Sequence, residues 1–209
     1  MPVAWVALAL AALALAGSPE QAALLEQLRG GTATERRAAA TRLGEVGDAA
    51  ATADLARALR DPDAAVREGA QAALWAIWQR SGDREVDALL QHGIALMGSG
   101  LHEEAAATFT EVIARAPQFA EGWNKRATVY YLMGEYDRSL ADCEEVIRRN
   151  PIHFGALSGF GLIYLEKGDL ERAARYFERA LAVNPNMTQI ERVLERLREV
   201  LLERRRQAI

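Results

Sequence analysis

Apolar residues recur every three or four positions along most of this chain, and that spacing predicts amphipathic helices. The same apolar pattern occurs in residues 35–48 and, after a shift of 31 positions, in residues 66–79. Leu43 in the first copy corresponds to Leu74 in the second. We therefore expect a repeated helical unit in this part of the chain.

A turn separates the two copies at Asp61, Pro62 and Asp63. Pro62 cannot continue the helix before it, and the carboxylate of Asp63 is placed to cap the helix after it. Residues 19–82 are therefore predicted to form antiparallel helix pairs. The D-P-D sequence followed by Val66 resembles the short HEAT-like repeats of phycobilisome-lyase-type proteins. We take the fold from this resemblance and not the lyase activity.

Beyond a break at residues 81–83 the repeat period changes to 34 residues. Three segments, which begin at Val86, Ala120 and Phe154, match one another in residue type. The matching sets include Gly93, Ala127 and Gly161; Gly100, Gly134 and Gly168; Ala105, Ser139 and Ala173; Phe109, Cys143 and Phe177; and Pro117, Pro151 and Pro185.

This pattern resembles the tetratricopeptide repeat in residue type as well as in period. Small residues let the two helices of a hairpin approach closely, and a glycine and a proline mark the turns. We expect an all-α protein, a right-handed α-solenoid in which HEAT-like pairs precede three hairpins in residues 83–187. The predicted hairpins are residues 86–119, 120–153 and 154–187.

Residues 188–209 are predicted to form a C-terminal capping helix, because the last repeat of a solenoid otherwise exposes its apolar seam. Its apolar residues lie on one stripe. They are Ile190, Val193, Leu194, Leu197, Val200 and Leu201. The run of Arg204, Arg205 and Arg206 is interpreted as complementing the helix dipole, with contact to a membrane or an acidic partner as the other reading.

The amino terminus carries an apolar run from Val3 to Ala16 with no charged residue before Glu20. This run is shorter than the roughly 20 residues that span a bilayer, and it ends in small residues of the kind a signal peptidase reads. Residues 1–16 are therefore predicted to be a signal peptide that is cleaved after Ala16, which makes the protein exported and periplasmic. An alanine-rich first helix and a retained anchor are the alternatives.

Composition narrows the function classes further. Half of the 209 residues are apolar and the net charge is −4, which is typical of a soluble globular protein without general attraction to nucleic acid. One cysteine and three histidines supply neither an internal disulfide nor a zinc ligand set. No cofactor, metal, nucleic-acid partner or integral membrane span is expected, and the oligomeric state is left open.

Catalytic chemistry is not indicated. Ser158 lies in a sequence that resembles a nucleophile elbow, but Ala156 stands where that motif requires glycine and no strand precedes it. Cys143 occupies a core position of its repeat, where an inert packing role is expected. We therefore do not expect an enzyme.

In tetratricopeptide repeats the first helix of each hairpin lines a concave groove, and this resemblance assigns nine residues to a partner-binding surface. They are Glu121, Asn124, Lys125, Thr128, Tyr131, Gly155, Ser158, Gly159 and Leu162. The mixed polarity around an aromatic residue suits a peptide or a partner protein.

Gly155 and Gly159 lie four residues apart, so they leave bare backbone on one face of their helix. Either a partner lies against this strip, or Tyr131 or Leu132 of the neighbouring helix fills the space. Glu121 and Lys125 likewise have a second reading, as an exposed helical ion pair, because they stand four residues apart in the favourable order.

Tetratricopeptide co-chaperones that grip the carboxyl end of heat-shock chaperones use a clamp of lysine, asparagine and arginine side chains. The positions that match this clamp hold Leu90, Ile94, Lys125, Gly155 and Gly159 here. The clamp is absent, so that ligand is not expected.

Arg126 departs from the repeat pattern, because its position normally holds a buried leucine. An unpaired guanidinium is costly to bury, so an ion pair is predicted, with Asp142 or Glu111 as the acid.

The strings AEGWNKRAT and HFGALSG resemble the second and third repeats of exported bacterial tetratricopeptide-repeat proteins, over about residues 70–187. This resemblance implies a fold and no activity. The leading hypothesis is an interaction scaffold or adaptor of the bacterial envelope that binds a peptide or partner subunit in the groove. The alternative is an assembly protein that self-associates through Trp75, Trp78 and the seam between the two arrays.

Overall fold

The computed structural model describes residues 18–207, and within that range every regular element is a helix. The chain divides into two compact units, of which the first ends at Trp78 and the second begins at Gln79. The predicted signal peptide, residues 1–16 with its cleavage after Ala16, lies outside the described residues.

Four α-helices and one short 3-10 helix make up the described part of the first unit. They are α1 (Pro19–Gly30), α2 (Ala33–Val46), the 3-10 helix Ala49–Ala51, α3 (Thr52–Ala58) and α4 (Ala64–Trp78). The hydroxyl of Ser18 accepts the N–H of Gln21 at 3.1 Å and so caps α1. Thr32 and Glu35 form a reciprocal capping box at the start of α2.

The core of the first unit lies where α2 packs against α4, the two segments that match in sequence. Leu43 and Leu74, the corresponding residues, are both fully buried. A Cβ atom at Gly44 would lie only 3.1 Å from the Cα of Ala73, so close approach of the helices explains that glycine. The predicted cap of α4 is confirmed, because Asp63 Oδ1 accepts the N–H of Val66 at 3.1 Å.

Three bidentate ion pairs connect elements of the first unit, one of them between Arg37 on α2 and Asp63 in the turn before α4. Arg29 on α1 binds both carboxylate oxygens of Asp54 on α3 at 2.6 and 2.7 Å. Arg36 on α2 binds both oxygens of Asp61 in the turn before α4, at 2.7 and 2.8 Å. A planar guanidinium group that binds both oxygens of a carboxylate fixes its orientation, so these contacts hold the connected elements in place.

Seven helices form the described part of the second unit. They are α5 (Arg84–Gly98), α6 (His102–Arg115), α7 (Ala120–Leu132), α8 (Tyr136–Arg149), α9 (Phe154–Glu166), α10 (Leu170–Val183) and α11 (Thr188–Gln207). Each of the first three pairs is an antiparallel hairpin whose helices pack on each other. Helices α7 and α9 begin at Ala120 and Phe154, the predicted first residues of the second and third repeats.

The turn inside each hairpin depends on its glycine. Gly100, Gly134 and Gly168 all adopt positive φ, at 77°, 74° and 74°. L-residues with a side chain rarely adopt this conformation, so the glycine at this position of each repeat is explained by backbone geometry.

The two helices of a hairpin pack along a seam, where small residues allow them to approach closely. A Cβ atom at Gly161 would overlap the ring of Phe177, and one at Gly93 would overlap the ring of Phe109. These two glycines are therefore required by packing within the hairpin, as predicted for Gly161. In the middle hairpin the Ser139 hydroxyl donates to the carbonyl of Ala127 at 2.7 Å, which ties α8 to α7.

Helix α11 covers the end of the last hairpin. Leu194 and Leu197 are buried beside Phe177 and its neighbours, while Ile190, Val193 and Leu201 are partly buried there. Val200 is 39% exposed and lies at the margin of the stripe. Helix α11 thus closes the apolar seam, which is the role predicted for a capping helix.

Candidate functional site

A pocket of about 150 Å³ lies between α7 and α9, the first helices of the second and third hairpins, with α8 at its back. Twelve residues line it: Asn124, Ala127, Thr128, Tyr131, Ser139, Cys143, Gly155, Ala156, Ser158, Gly159, Leu162 and Ile163. Seven of the nine predicted groove residues are in this set, and only Glu121 and Lys125 are not. The structure thus gathers most of the predicted surface around one concavity.

The space beside Gly159 in this pocket can accommodate a side chain. A Cβ atom built there would meet only the Sγ atom of Cys143, at 3.6 Å, which is ordinary van der Waals contact. Neither Tyr131 nor Leu132 fills the space beside Gly159, and Leu132 is 50% exposed. The interpretation that Tyr131 or Leu132 of α7 fills the space is therefore wrong at Gly159.

Three hydroxyl groups of the pocket already donate to backbone carbonyls. Ser139 donates to Ala127 at 2.7 Å, as noted above, and Thr128 donates to the carbonyl of Asn124 at 3.0 Å. Ser158 donates to the carbonyl of Gly155 at 2.9 Å. A hydroxyl has one proton to donate and two lone pairs that accept, so these groups present acceptors to anything that enters the pocket.

Glu121 lies beneath the pocket and is fully buried, which corrects the expectation that its carboxylate is open to the groove. His153 Nε2 lies 3.1 Å from Glu121 Oε2, and Asn124 Nδ2 donates to the same oxygen at 3.1 Å. Lys125 Nζ lies 3.0 Å from Oε1 at an angle that forms an ion pair without a hydrogen bond. Glu121 and Lys125 therefore form the ion pair that their spacing predicts, but the carboxylate is buried and not exposed.

The protonation of this buried cluster follows from its hydrogen bonds. His153 Nδ1 accepts the N–H of Ala156 at 3.0 Å and so caps α9, which leaves Nε2 to carry the ring proton and donate it to Glu121. Burial raises the pKa of Glu121, but the hydrogen bond from His153 and the ammonium of Lys125 lower that pKa by more. Glu121 is therefore ionised at neutral pH.

His153 was not among the predicted site residues. It directly precedes α9, where a side chain that accepts a hydrogen bond can cap the helix, and this position was the one available signal. Its partner Glu121 is 32 residues away in sequence, so the contact depends on how neighbouring repeats approach each other.

The predicted ion pair of Arg126 is confirmed, with Asp142 as the acid. Nε and Nη2 of Arg126 donate to the two carboxylate oxygens at 2.8 Å each, and Nη1 donates to Thr110 Oγ1 at 2.9 Å. Glu111, the other candidate, pairs with Arg115 instead. The pair joins α7 to α8 and lies outside the pocket, so its role is structural.

Cys143 at the back of the pocket is an unreactive thiol. Burial raises its pKa to about 12, with the carboxylates of Asp142 and Glu144 adding to the effect. A thiol with so high a pKa stays protonated at neutral pH, whereas nucleophilic cysteines need the thiolate. Cys143 contributes shape to the pocket and no chemistry.

The described residues offer neither a metal site nor a membrane-spanning helix. Within residues 18–207 no group of three or more histidine, cysteine and acidic side chains is placed to hold a metal ion. None of the helices in that range combines the length and apolar character needed to cross a membrane. In the first unit, the rings of Trp75 and Trp78 pack edge to face with centroids 5.4 Å apart, so each covers part of the other.

Comparison with known protein families identifies one match. The tetratricopeptide repeat model matches residues 90–151 and 125–188 of this chain. A TPR repeat-containing protein of Rhizobium etli is 35% identical over 126 residues, which are 60% of this chain and 61% of that protein. The Hsp70-Hsp90 organizing protein of Triticum aestivum is 32% identical over 94 residues, or 45% of this chain and 16% of that protein. The chain thus matches less than two thirds of the length of each relative.

Solved structures agree with the helical repeat fold. The Sgt2 TPR domain from Aspergillus fumigatus has a TM-score of 0.56 at 24% identity and covers 61% of this chain and 85% of that one. The first TPR of Spaghetti (RPAP3), bound to the HSP90 peptide SRMEEVD, has a TM-score of 0.54 at 22% identity over 56% of this chain and 93% of that one. The type III secretion translocator chaperone SycD of Yersinia enterocolitica also has a TM-score of 0.54, at 18% identity over the same two shares. At these identities the likeness shows the fold, an α-solenoid of antiparallel helix pairs.

Proposed function

We propose that this chain is an interaction scaffold or adaptor of the bacterial envelope. The premise is its match to the tetratricopeptide repeat over residues 90–188. A peptide or partner subunit binds in the groove formed by the first helices of the hairpins. Proteins of this repeat family act as interaction scaffolds, and one structural neighbour holds an HSP90 peptide.

The observation that carries the proposal is the open pocket at Gly159. A glycine inside a helix costs about 0.8–1 kcal/mol relative to alanine, and at Gly161 close packing accounts for it. At Gly159 nothing in the protein comes close enough to require it, because an added Cβ would meet only Cys143 at ordinary contact distance. Close approach of a partner backbone accounts for a glycine that the fold itself does not need.

The acidic carboxyl-terminal peptide held by that neighbour is not the proposed ligand. At the positions that match the clamp of the co-chaperones, Leu90 is fully buried and Ile94 is partly buried. Lys125 is paired with Glu121, and the remaining two positions are Gly155 and Gly159. No cation is therefore left to receive a terminal carboxylate at these five positions.

Location in the envelope rests on the predicted signal peptide of residues 1–16. The relative from Rhizobium etli is likewise a bacterial protein. Expression of the full chain in a bacterial host, followed by mass measurement of the protein in the periplasmic fraction, tests the prediction. A mass that corresponds to cleavage after Ala16 supports export, whereas an intact chain in the cytoplasmic fraction contradicts it.

The binding role is tested by affinity capture from the envelope fraction with the tagged protein and two variants. Gly159→Lys places a long cationic side chain in the pocket. Gly98→Lys is the matched control, because Gly98 is an exposed glycine in α5 with no atom within 4 Å of an added Cβ. Circular dichroism checks that both variants remain helical.

Capture of the same partner by wild type and Gly98→Lys, and its loss from Gly159→Lys, supports the groove as the binding surface. Retention of the partner by Gly159→Lys contradicts it.

A further inference from the structure

The polar side chains of the pocket present hydrogen-bond acceptors. Thr128, Ser139 and Ser158 donate their hydroxyl protons to carbonyls of the protein, so each presents lone pairs. The amide of Asn124 adds a further acceptor. An ionised Glu121 can only accept, so the Asn124 amino group must face it and the Asn124 carbonyl oxygen is left for the pocket.

The charges near the pocket favour a cationic ligand group over an anionic one. No lysine, arginine or histidine is among its lining residues. Tyr131, which does line it, donates its hydroxyl to Glu166 Oε1 at 3.4 Å, and this places an exposed carboxylate at the rim. Lys125, on the same helix as Asn124 and Thr128, is held 3.0 Å from Glu121. A cationic group gains a partner at Glu166, whereas an anionic group meets acceptors and a like charge.

The size of the pocket limits what enters it. Its volume of about 150 Å³ equals the liquid volume of about five water molecules. That space takes one side chain. The apolar part of the wall consists of Ala127, Ala156, Leu162 and Ile163, which suit an aliphatic group.

We infer that the pocket binds a peptide segment in which an aliphatic side chain enters between α7 and α9 and an adjacent lysine or arginine pairs with Glu166. Backbone N–H groups of the peptide donate to the acceptors of Asn124, Thr128 and Ser158. Segments with an acidic residue or a terminal carboxylate at this place are rejected. This inference rests on the proposed function, since it specifies the ligand of the same groove.

The test uses the full chain and a positional-scanning library of amidated hexapeptides, with binding measured by fluorescence polarisation. The expected result is selection of leucine, isoleucine or valine next to lysine or arginine. Amide resonances of Gly155 and Gly159 in an NMR titration with the selected peptide report whether the pocket is occupied. Matched peptides with glutamate in place of the basic residue, and with a free carboxyl terminus, are expected to bind more weakly.

Two variants separate charge from shape. Glu166→Gln is expected to weaken the selected peptide about two- to fivefold and to remove the preference for a basic residue, as befits an exposed ion pair. Glu103→Gln, at an exposed residue of α6, is the matched control and is expected to bind as wild type does. Gly159→Leu fills the pocket without adding charge and is expected to abolish binding.

The outcomes distinguish the two proposals. Selection of acidic or carboxylate-terminated peptides that Gly159→Leu abolishes overturns the inferred chemistry and leaves the groove as a peptide site. A selected basic peptide that binds Gly159→Leu as tightly as wild type overturns both. A library with no bound peptide overturns the inference, and the capture experiment then decides the proposed function by itself.

Discussion

In the third hairpin Gly161 faces the ring of Phe177, whereas the same two positions of the second hairpin hold Ala127 and Cys143. The aromatic ring fills the seam completely, and only a glycine can stand opposite it. The middle hairpin has a Cβ on one side and a small thiol on the other. The pocket lies beside this pair, with Ala127 and Cys143 among its lining residues.

A second pair of positions differs in the same way. Phe160 and Tyr176 stack in the third hairpin with ring centroids 4.4 Å apart. Their counterparts in the second hairpin are Arg126 and Asp142, which form the bidentate ion pair. One scaffold thus tolerates two ways of joining its helices, an aromatic stack in the third hairpin and a bidentate ion pair in the second.

The largest expected change in the free energy of unfolding comes from the seam of the third hairpin, which the ring of Phe177 fills. Phe177→Ala should lower the free energy of unfolding by about 3–5 kcal/mol, because it removes a fully buried ring and leaves a cavity. Cys143→Ala, at the equivalent position, should cost only about 1 kcal/mol, since one small group is lost beside existing space. Urea denaturation followed by circular dichroism measures both values, and equal losses would contradict the comparison.

The ion pair of the second hairpin should give the next largest effect. Asp142→Asn removes the charge that receives Arg126 and should cost about 1.5–3 kcal/mol, the usual range for hydrogen bonds to charged groups. The double variant Arg126→Phe with Asp142→Tyr copies the third hairpin, so it should be more stable than the sum of its two single changes predicts. Strict additivity in the same urea experiment would show that the two joints are not interchangeable.

The smallest effects distinguish two glycines of one helix. Gly161→Ala should destabilise the protein by about 1–3 kcal/mol, because its new methyl group overlaps Phe177. Gly159→Ala should stabilise it by up to about 0.8–1 kcal/mol, because the methyl group meets only the Sγ atom of Cys143, at 3.6 Å, and alanine favours the helix. Thermal unfolding of both variants checks the opposite signs, and a loss of stability at Gly159 would mean that packing needs this glycine too.

The sequence predicted the fold because each repeat shows its constraints locally. The period of 34, the turn glycines and the small residues of the seam all concern contacts within one hairpin, and they are visible as matches between repeats. Arg126 was placed correctly for the same reason, since Asp142 lies 16 residues away inside its own hairpin. The groove residues followed from their positions in the repeat, and seven of them line the pocket.

The burial of Glu121 could not be predicted in this way. Its position normally faces the groove, and its removal from water depends on an imidazole supplied by the last residue before the next repeat. The open volume beside Cys143 has the same origin, because α7, α8 and α9 all contribute to it. Contacts of this kind between neighbouring hairpins do not recur at the repeat period, so matches between repeats do not reveal them.

His153 couples the stability of the second hairpin to that of the third. Its ring holds the first turn of α9 through one nitrogen and a buried carboxylate of α7 through the other. Fraying of the third hairpin away from the second would remove one of the donors of a buried anion and the cap of a helix at the same moment. Local opening is therefore cooperative across this interface, and the groove between α7 and α9 is either assembled in full or lost in full.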